Sequence, residues 1–149
     1  MKRIRIANER DIGRIAEIEV FNYRLNFYPI FRHDEFYFDE LTVTAKSTEY
    51  RDMLDSFRVY DDGVVKGFIQ IDGQEIKKLF IEPVLQGQGI GAALLEHAVS
   101  KENAQSLWAL EKNARAIAFY QRHGFRLTDE RKPEDDTDEY LVRLERSVP

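Results

Sequence analysis

The chain has 149 residues, 43% of them apolar and 33% charged, with a formal net charge of −5 at pH 7. That length bounds one hydrophobic core, a single domain over residues 1–149, and no apolar run nears the ~20 residues of a membrane span. The absence of cysteine excludes disulfides, thiolate metal sites and a cysteine nucleophile, and the acidic balance argues against broad nucleic-acid binding, which needs clustered Lys and Arg.

Met1-Lys2-Arg3-Ile4 lacks the long apolar stretch of a secretory signal, which with the missing cysteine gives a cytoplasmic expectation. Residues 3–7 alternate charged and apolar side chains as a half-buried strand does. Asn8 followed three residues later by Asp11 is a capping-box variant, so a helix is expected from about Glu9. Ile12, Ile15, Ile18, Phe21 and Leu25 form its expected buried stripe, and Pro29 its end. Eight aromatics lie between residues 21 and 38, a high density for a connection. These rings either cap the core or wall a small-molecule pocket, with Phe27, Tyr28 and Phe31 as the candidate contacts to a substrate. Asp34, Glu35, Asp39 and Glu40 among them suit a cationic guest or a solvated face.

Residues 56–60, 64–71 and 75–81 read as successive strands, with Asp61-Asp62-Gly63 and Asp72-Gly73 as hairpin turns, so this run is antiparallel. After Pro83, Gln86-Gly87-Gln88-Gly89-Ile90-Gly91 leads into an apolar helix over residues 92–99. Its glycines let the backbone curl without Cβ clashes and let a ligand come close, while the helix start offers unpaired N–H groups and partial positive charge. A pyrophosphate is the natural guest. A nucleotide-triphosphatase loop is excluded, because no Lys followed by Ser or Thr stands after the glycines. A dinucleotide fingerprint is met formally by Gly87, Gly89 and Ala92, with Glu111 near the spacing of the ribose-binding acid; a tight turn with no ligand is the third reading.

Residues 106–110 then form a short strand and 113–123 a helix ended by Gly124, and 125–128 and 140–144 are the last strands, separated by the polar stretch 132–139. A glycine turn that follows an antiparallel meander and leaves only about sixty residues does not fit the repeating parallel units of a dinucleotide fold. The order of elements gives a mixed α+β architecture. His33, His97 and His123 have no zinc-like spacing, so no metal is expected.

Gln86, Gly89 and Gly91 fit the pattern [QR]-x-x-G-x-[GA], placed after Leu79, Ile81 and Pro83. A second block runs Leu110-Glu111-Lys112-Asn113, Ala116, Ala118-Phe119-Tyr120 and Gly124-Phe125. On these two blocks the chain resembles the GNAT superfamily of N-acetyltransferases, over the whole element order and most closely from residue 77 to 125. The resemblance implies a mainly antiparallel central sheet of about six to seven strands, helices on both faces, and a splay between the fourth and fifth strands. It implies acetyl-CoA as acetyl donor, with its pyrophosphate on the backbone of Gln86, Gly87, Gln88, Gly89, Ile90, Gly91 and Ala92. The pantetheine arm would pair with Leu79, Phe80 and Ile81 like an added strand. Asn113 either secures the cofactor or the splay, or caps the next helix.

An alkyl amine arrives protonated near neutral pH, so a base is needed. Glu111 is the first candidate, with Glu82 and Glu75 behind it. Tyr120 matches the family position that protonates the leaving thiolate. His123 is set aside as a helix-end residue. The resemblance implies direct attack in a ternary complex, with the developing oxyanion met by an N–H near Phe80 or Ile81. The expected reaction is acetyl transfer to a primary amine, of a small molecule or else of a peptide or protein. A non-catalytic acyl-CoA-binding sensor and a dinucleotide-binding protein are the alternatives. Neither nucleic acid nor membrane is an expected partner, and monomer and homodimer are both open.

Overall fold

The computed structural model describes residues 3–146. β1 (Ile4–Ile6) leads through one 3-10 turn into α1 (Ile12–Asn26), and the expected capping box forms there. Asn8 Oδ1 accepts from Arg10 N–H at 3.0 Å, and Asp11 Oδ2 accepts from Asn8 N–H at 2.8 Å. Arg5 clamps the Asp11 carboxylate at 2.7 and 3.0 Å and also reaches Asp61 at 2.9 Å, tying the helix start to the sheet.

The buried stripe of α1 differs from the expected one. Phe21 and Leu25 are 41% and 56% exposed, whereas Ile15, Ile18, Glu19 and Asn22 are buried. A strict spacing of three lags the 3.6-residue turn by about 60° per step, so a stripe begun at Ile12 rotates out of the core by Phe21. α1 ends at Asn26, before Pro29, and Pro29 itself sits in the first turn of a separate short helix, α2 (Tyr28–Phe31), where no inward N–H is required.

A single π-helical turn, Phe36–Glu40, follows, closed by Leu41 N–H donating to Phe36 O at 2.7 Å. Next comes α3 (Val43–Tyr50), N-capped by Thr42 Oγ1, which accepts from Ala45 N–H at 3.1 Å. α3 lies in a stretch given no element from sequence. It buries only Tyr50 and so carries no apolar period to betray it.

β2 (Phe57–Asp61), β3 (Val65–Asp72) and β4 (Glu75–Ile81) form the expected antiparallel meander. In β4, Lys78 lies opposite Gln70 and Ile76 opposite Ile71, which leaves Lys77 as a bulge without a counterpart. The rest is α4 (Ile90–Glu102), β5 (Ser106–Leu110), α5 (Ala114–Arg122), β6 (Phe125–Pro133) and β7 (Tyr140–Arg146). β6 runs on through Lys132, beyond its expected end at Thr128, with a register shift between Leu127 and Arg131. Its exposed, charged outer part lacks the alternation by which a strand is recognised.

The seven strands lie in the order β1-β2-β3-β4-β5-β7-β6, antiparallel except for β4 beside β5. That parallel pair is joined only at Glu75 with Ser106 and Ile76 with Leu107, after which the strands part. One core layer packs α4 and α5 on Ile69, Ile76 and Leu107; another packs α1 and α3 on Phe57, Val59 and Phe68. Among the described residues no helix is long and apolar enough to cross a membrane.

Gly67 on β3 sets how closely the end of β4 can lie. A Cβ there would stand 2.6 Å from Ile81 Cδ1 and 3.1 Å from the Phe80 carbonyl oxygen. Gly67→Ala is expected to cost about 1–3 kcal/mol in urea unfolding, because backbone as well as side chain must move. An unchanged unfolding midpoint would mean that Ile81 swings clear without strain.

Candidate active site

The parting of β4 from β5 leaves a strand edge in the middle of the sheet. Glu82 N–H donates to Lys66 O at 2.9 Å, which phases the β3–β4 ladder so that Phe80 exchanges its backbone bonds with β3. The N–H and C=O groups of Leu79 and Ile81 point the other way, into the gap. Of the three residues expected to pair with an extended ligand, Leu79 and Ile81 have backbone groups available and Phe80 does not. The Phe80 ring instead packs against Tyr23 and Phe27, with centroids at 5.5 and 6.5 Å.

Beyond β4 a 3-10 turn, Pro83–Leu85, delivers the chain to the glycine loop. Gly87 and Gly89 have φ of +83° and +84°, a left-handed backbone that disfavours any side chain with a Cβ. The first amide to bond inward is Ala93 N–H, which reaches Gly89 O at 3.0 Å. Among the described residues the amides of Gly87, Gln88, Gly89, Ile90, Gly91 and Ala92 have no intramolecular acceptor. They stand at the positive end of α4, a geometry that receives a phosphate.

Gln86, expected to share this role through its backbone, does not, because its N–H donates to Pro83 O at 3.5 Å. Its Nε2 donates to Asn22 Oδ1 at 3.1 Å, while Asn22 Nδ2 donates to Ile81 O and Ile18 O, each at 2.8 Å. Asn22, 1% exposed, therefore fixes the end of β4 and the start of the loop to α1. Its sequence signal is a polar residue seven after Ile15, on the buried face of an amphipathic helix.

A cleft of about 970 Å³ opens along the gap, lined from α1 and from α5. Leu79, Phe80, Asn113 and Tyr120 line it, as do Phe27 and Phe31; the glycine loop lies outside it. Tyr28 is not among the lining residues. Its ring packs on Tyr37 and Phe38 and its hydroxyl donates to Asp34 at 2.5 Å. Sequence reasoning missed Trp108 on β5 in the opposite wall, with Lys132 Nζ 4.2 Å from its ring centroid; the β6–β7 connection completes that wall. Segment 134–139 of that connection carries five carboxylates, and Glu40 and Glu75 face the same space.

Tyr120 is 8% exposed, its ring set edge-on to Phe119 and Phe125. No hydrogen bond from its hydroxyl to another described residue is present, and the residue lines the cleft. Burial pushes the phenol up from its ordinary range, so it holds its proton at neutral pH. Asn113 caps α5, with Oδ1 accepting from Ala116 N–H at 3.2 Å.

Glu111 is paired at both oxygens with Arg131, at 2.9 and 3.0 Å, outside the lining of the cleft. The hydrogen bonds from Arg131 hold its carboxyl below the usual carboxylate range, which weakens it as a proton acceptor. Glu82 faces Arg14 at 3.5 Å, and Glu75 lines the cleft with Lys77 Nζ at 2.7 Å.

Residues 54–127 match the family model described as the acetyltransferase (GNAT) domain. A peptidyl-lysine N-acetyltransferase of Salmonella typhimurium, YjaB, is 35% identical over 77 residues, covering 52% of this chain and 53% of that protein. The chain thus spans about half the length of the curated relatives it matches. The solution structure of apo YjaB from Escherichia coli superposes with a TM-score of 0.68 at 26% identity over 95% of each chain. The PaiA N-acetyltransferase of Thermoplasma acidophilum, solved with coenzyme A, shares the fold with a TM-score of 0.66 at 19% identity, over 94% of this chain and 96% of that one.

Replacing Asn22 by Ala strands the Ile81 carbonyl and the Gln86 amide. A loss of about 1–3 kcal/mol in unfolding free energy is expected, together with faster hydrogen exchange in the glycine loop. Full protection of the loop in Asn22→Ala would show that the glycines hold their shape without α1.

Proposed function

Because the chain belongs to the GNAT superfamily, we propose that it is an acetyl-CoA-dependent N-acetyltransferase acting on a cationic primary amine. The observation that carries this reading is the open edge of β4, running between the free amides of the glycine loop and the unpartnered hydroxyl of Tyr120. A dinucleotide would make no use of such an edge, and a simple turn would need no unpaired amides. Bound, acetyl-CoA supplies an activated acetyl thioester.

The residues divide the work by position. Amides 87–92 hold the pyrophosphate, and the Leu79 N–H and C=O pair with the amide-bearing arm as a strand would. The Ile81 N–H, whose own carbonyl is fixed by Asn22, is the preorganised donor for a developing oxyanion. Tyr120 keeps its proton at the hydroxyl until the leaving sulfur requires it. Glu111, committed to Arg131, is not assigned the role of base.

The carboxylates of segment 134–139, with Glu40 and Glu75, give the acceptor end a negative field that attracts an ammonium. Phe27, Phe31 and Trp108 offer apolar walls for the methylenes behind it. The name of the Salmonella relative specifies a peptidyl lysine, and a lysyl ε-amine meets both requirements. We therefore take a lysine-type alkylammonium as the acceptor, carried on a peptide or a small molecule.

Calorimetric titration with acetyl-CoA, and with NAD as the control, tests the cofactor: saturable binding of acetyl-CoA alone is expected, and binding of NAD alone would overturn the reading. Gly89→Val, which cannot adopt φ near +84°, is expected to weaken that binding by roughly tenfold or more while the domain stays folded. For Tyr120→Phe the expectation is a fall in kcat of about 100-fold with acetyl-CoA affinity unchanged, read by coenzyme A release. Full turnover in that variant removes Tyr120 from the chemistry.

A further inference from the structure

A buried ionic cluster adjoins the acceptor end of the cleft, and its innermost cation lies between two openings. Glu19, fully buried on α1, has Lys78 Nζ at 3.0 Å and the Tyr50 hydroxyl at 2.7 Å on Oε1. Lys46 Nζ lies 3.1 Å from Oε2, which lacks an aligned hydrogen-bond donor. Lys78 Nζ also donates to Tyr50 Oη at 2.5 Å. Two lysines thus share one carboxylate. Glu49 balances Lys46 at 3.0 Å from the outer side, so the innermost cation, Lys78, has only the shared Glu19 carboxylate against it, and a neutral Lys78 relieves the cost of burying that charge.

Lys78 follows the Lys77 bulge and lines the 970 Å³ cleft. It also lines a separate outer cavity of about 600 Å³, walled by Glu49, Asp52, Asp55 and Asp72. Two of the three bond directions at Nζ are taken by Glu19 and Tyr50. The third is the position at which a neutral amine carries its lone pair.

We propose that Lys78 is the group that deprotonates the acceptor ammonium, with Glu19 and Tyr50 holding the amine in place and the outer cavity as the route by which the proton leaves. The proposal rests on the acetyltransferase reading and supplies its missing base. The proton moves from the acceptor R–NH3+ to the Lys78 amine, giving R–NH2 and a Lys78 ammonium. The freed amine forms the C–N bond to the acetyl carbon as the C–S bond breaks, and the sulfur leaves as thiol with a proton from Tyr120. The proton then on the acetylated nitrogen restores Tyr120, and the proton on Lys78 passes to solvent, so one proton is released per acetyl transferred.

The surroundings favour the neutral amine. Burial pulls Lys78 below the ordinary lysine range, and the Lys46 ammonium adds to this; Glu19, with Glu49 further off, opposes them without cancelling the effect. The rings of Tyr23 and Tyr50, at 5.7 and 5.3 Å, act with Glu19 in favour of the charged form, so burial and the Lys46 ammonium are what press toward the neutral one. Lys46, in contact with both Glu19 and Glu49, is raised and keeps the one positive charge.

Two measurements test this on the whole chain. In the first, NMR of lysine labelled at Cε, with the Lys78 signal assigned by its loss in Lys78→Arg, follows protonation directly. Lys78 is expected to titrate below the ordinary lysine range, and a midpoint within that range overturns the proposal. In the second, coenzyme A release is followed against pH. Lys78→Arg keeps a cation but cannot become neutral, so it is expected to lower kcat about 100-fold and to move the acid limb of the pH profile. Its melting temperature and acetyl-CoA affinity should stay near wild type. A wild-type chain that turns over amines beside a Lys78→Arg variant with unchanged kcat and profile overturns Lys78 as base and leaves the acetyltransferase reading standing. A wild-type chain that binds no acetyl-CoA overturns both.

Discussion

The candidate site depends on one unfulfilled pairing, the missing ladder between β4 and β5 beyond Ile76 and Leu107. Interior backbone groups need partners, and an open edge in the middle of a sheet is a template for any extended chain that carries amides. The protein keeps that edge open by construction. The Lys77 bulge turns β4 away, Gly67 lets its end lie close on β3, and Asn22 takes up the Ile81 carbonyl that would otherwise be left bare. The glycine loop then continues the same edge into a cluster of free amides, so an extended arm and its terminal phosphates can be met along one line.

The acceptor side follows a different logic. In the proposed function backbone groups hold the donor, whereas side chains and charge define the space opposite. Aromatics from α1 and α2, Trp108 from β5 and the carboxylates of the β6–β7 connection converge there from distant parts of the chain. A negative field suits binding of an ammonium but hinders its deprotonation, since each nearby carboxylate stabilises the charged form. In the proposed reaction a base that is itself cationic when protonated, and that burial and the Lys46 ammonium press toward the neutral form, resolves that conflict. The pairing of Glu19 with two lysines places such a group at the boundary of the cleft.

Local signals were legible where the physics is local. The Asn8–Asp11 box, the Asp-Gly hairpins, the meander and the glycine loop all depend on residues within a few positions of one another, and all formed where the pattern placed them. The two motif blocks around Gly89 and Tyr120 pointed to the family that the comparisons identify. Where a local period was drawn too strictly it misled: the three-residue spacing from Ile12 to Phe21, carried on to Leu25, put two exposed side chains on the buried stripe and passed over Glu19 and Asn22.

Sequence by itself determined the order of the strands and of α1, α4 and α5, the mixed α+β class, and the position of the glycine turn, because backbone preference and side-chain period act over a turn or a strand. Only the tertiary structure decided which groups serve the site. Asn22 meets Ile81 and Gln86 across 59 and 64 positions, and Glu19 meets Lys78 across 59. Glu111 stands at the expected place in its motif but is claimed by Arg131 from the strand beyond. Such partnerships are set by how α1 lies on the sheet and where β6 returns. No spacing within a single segment encodes them.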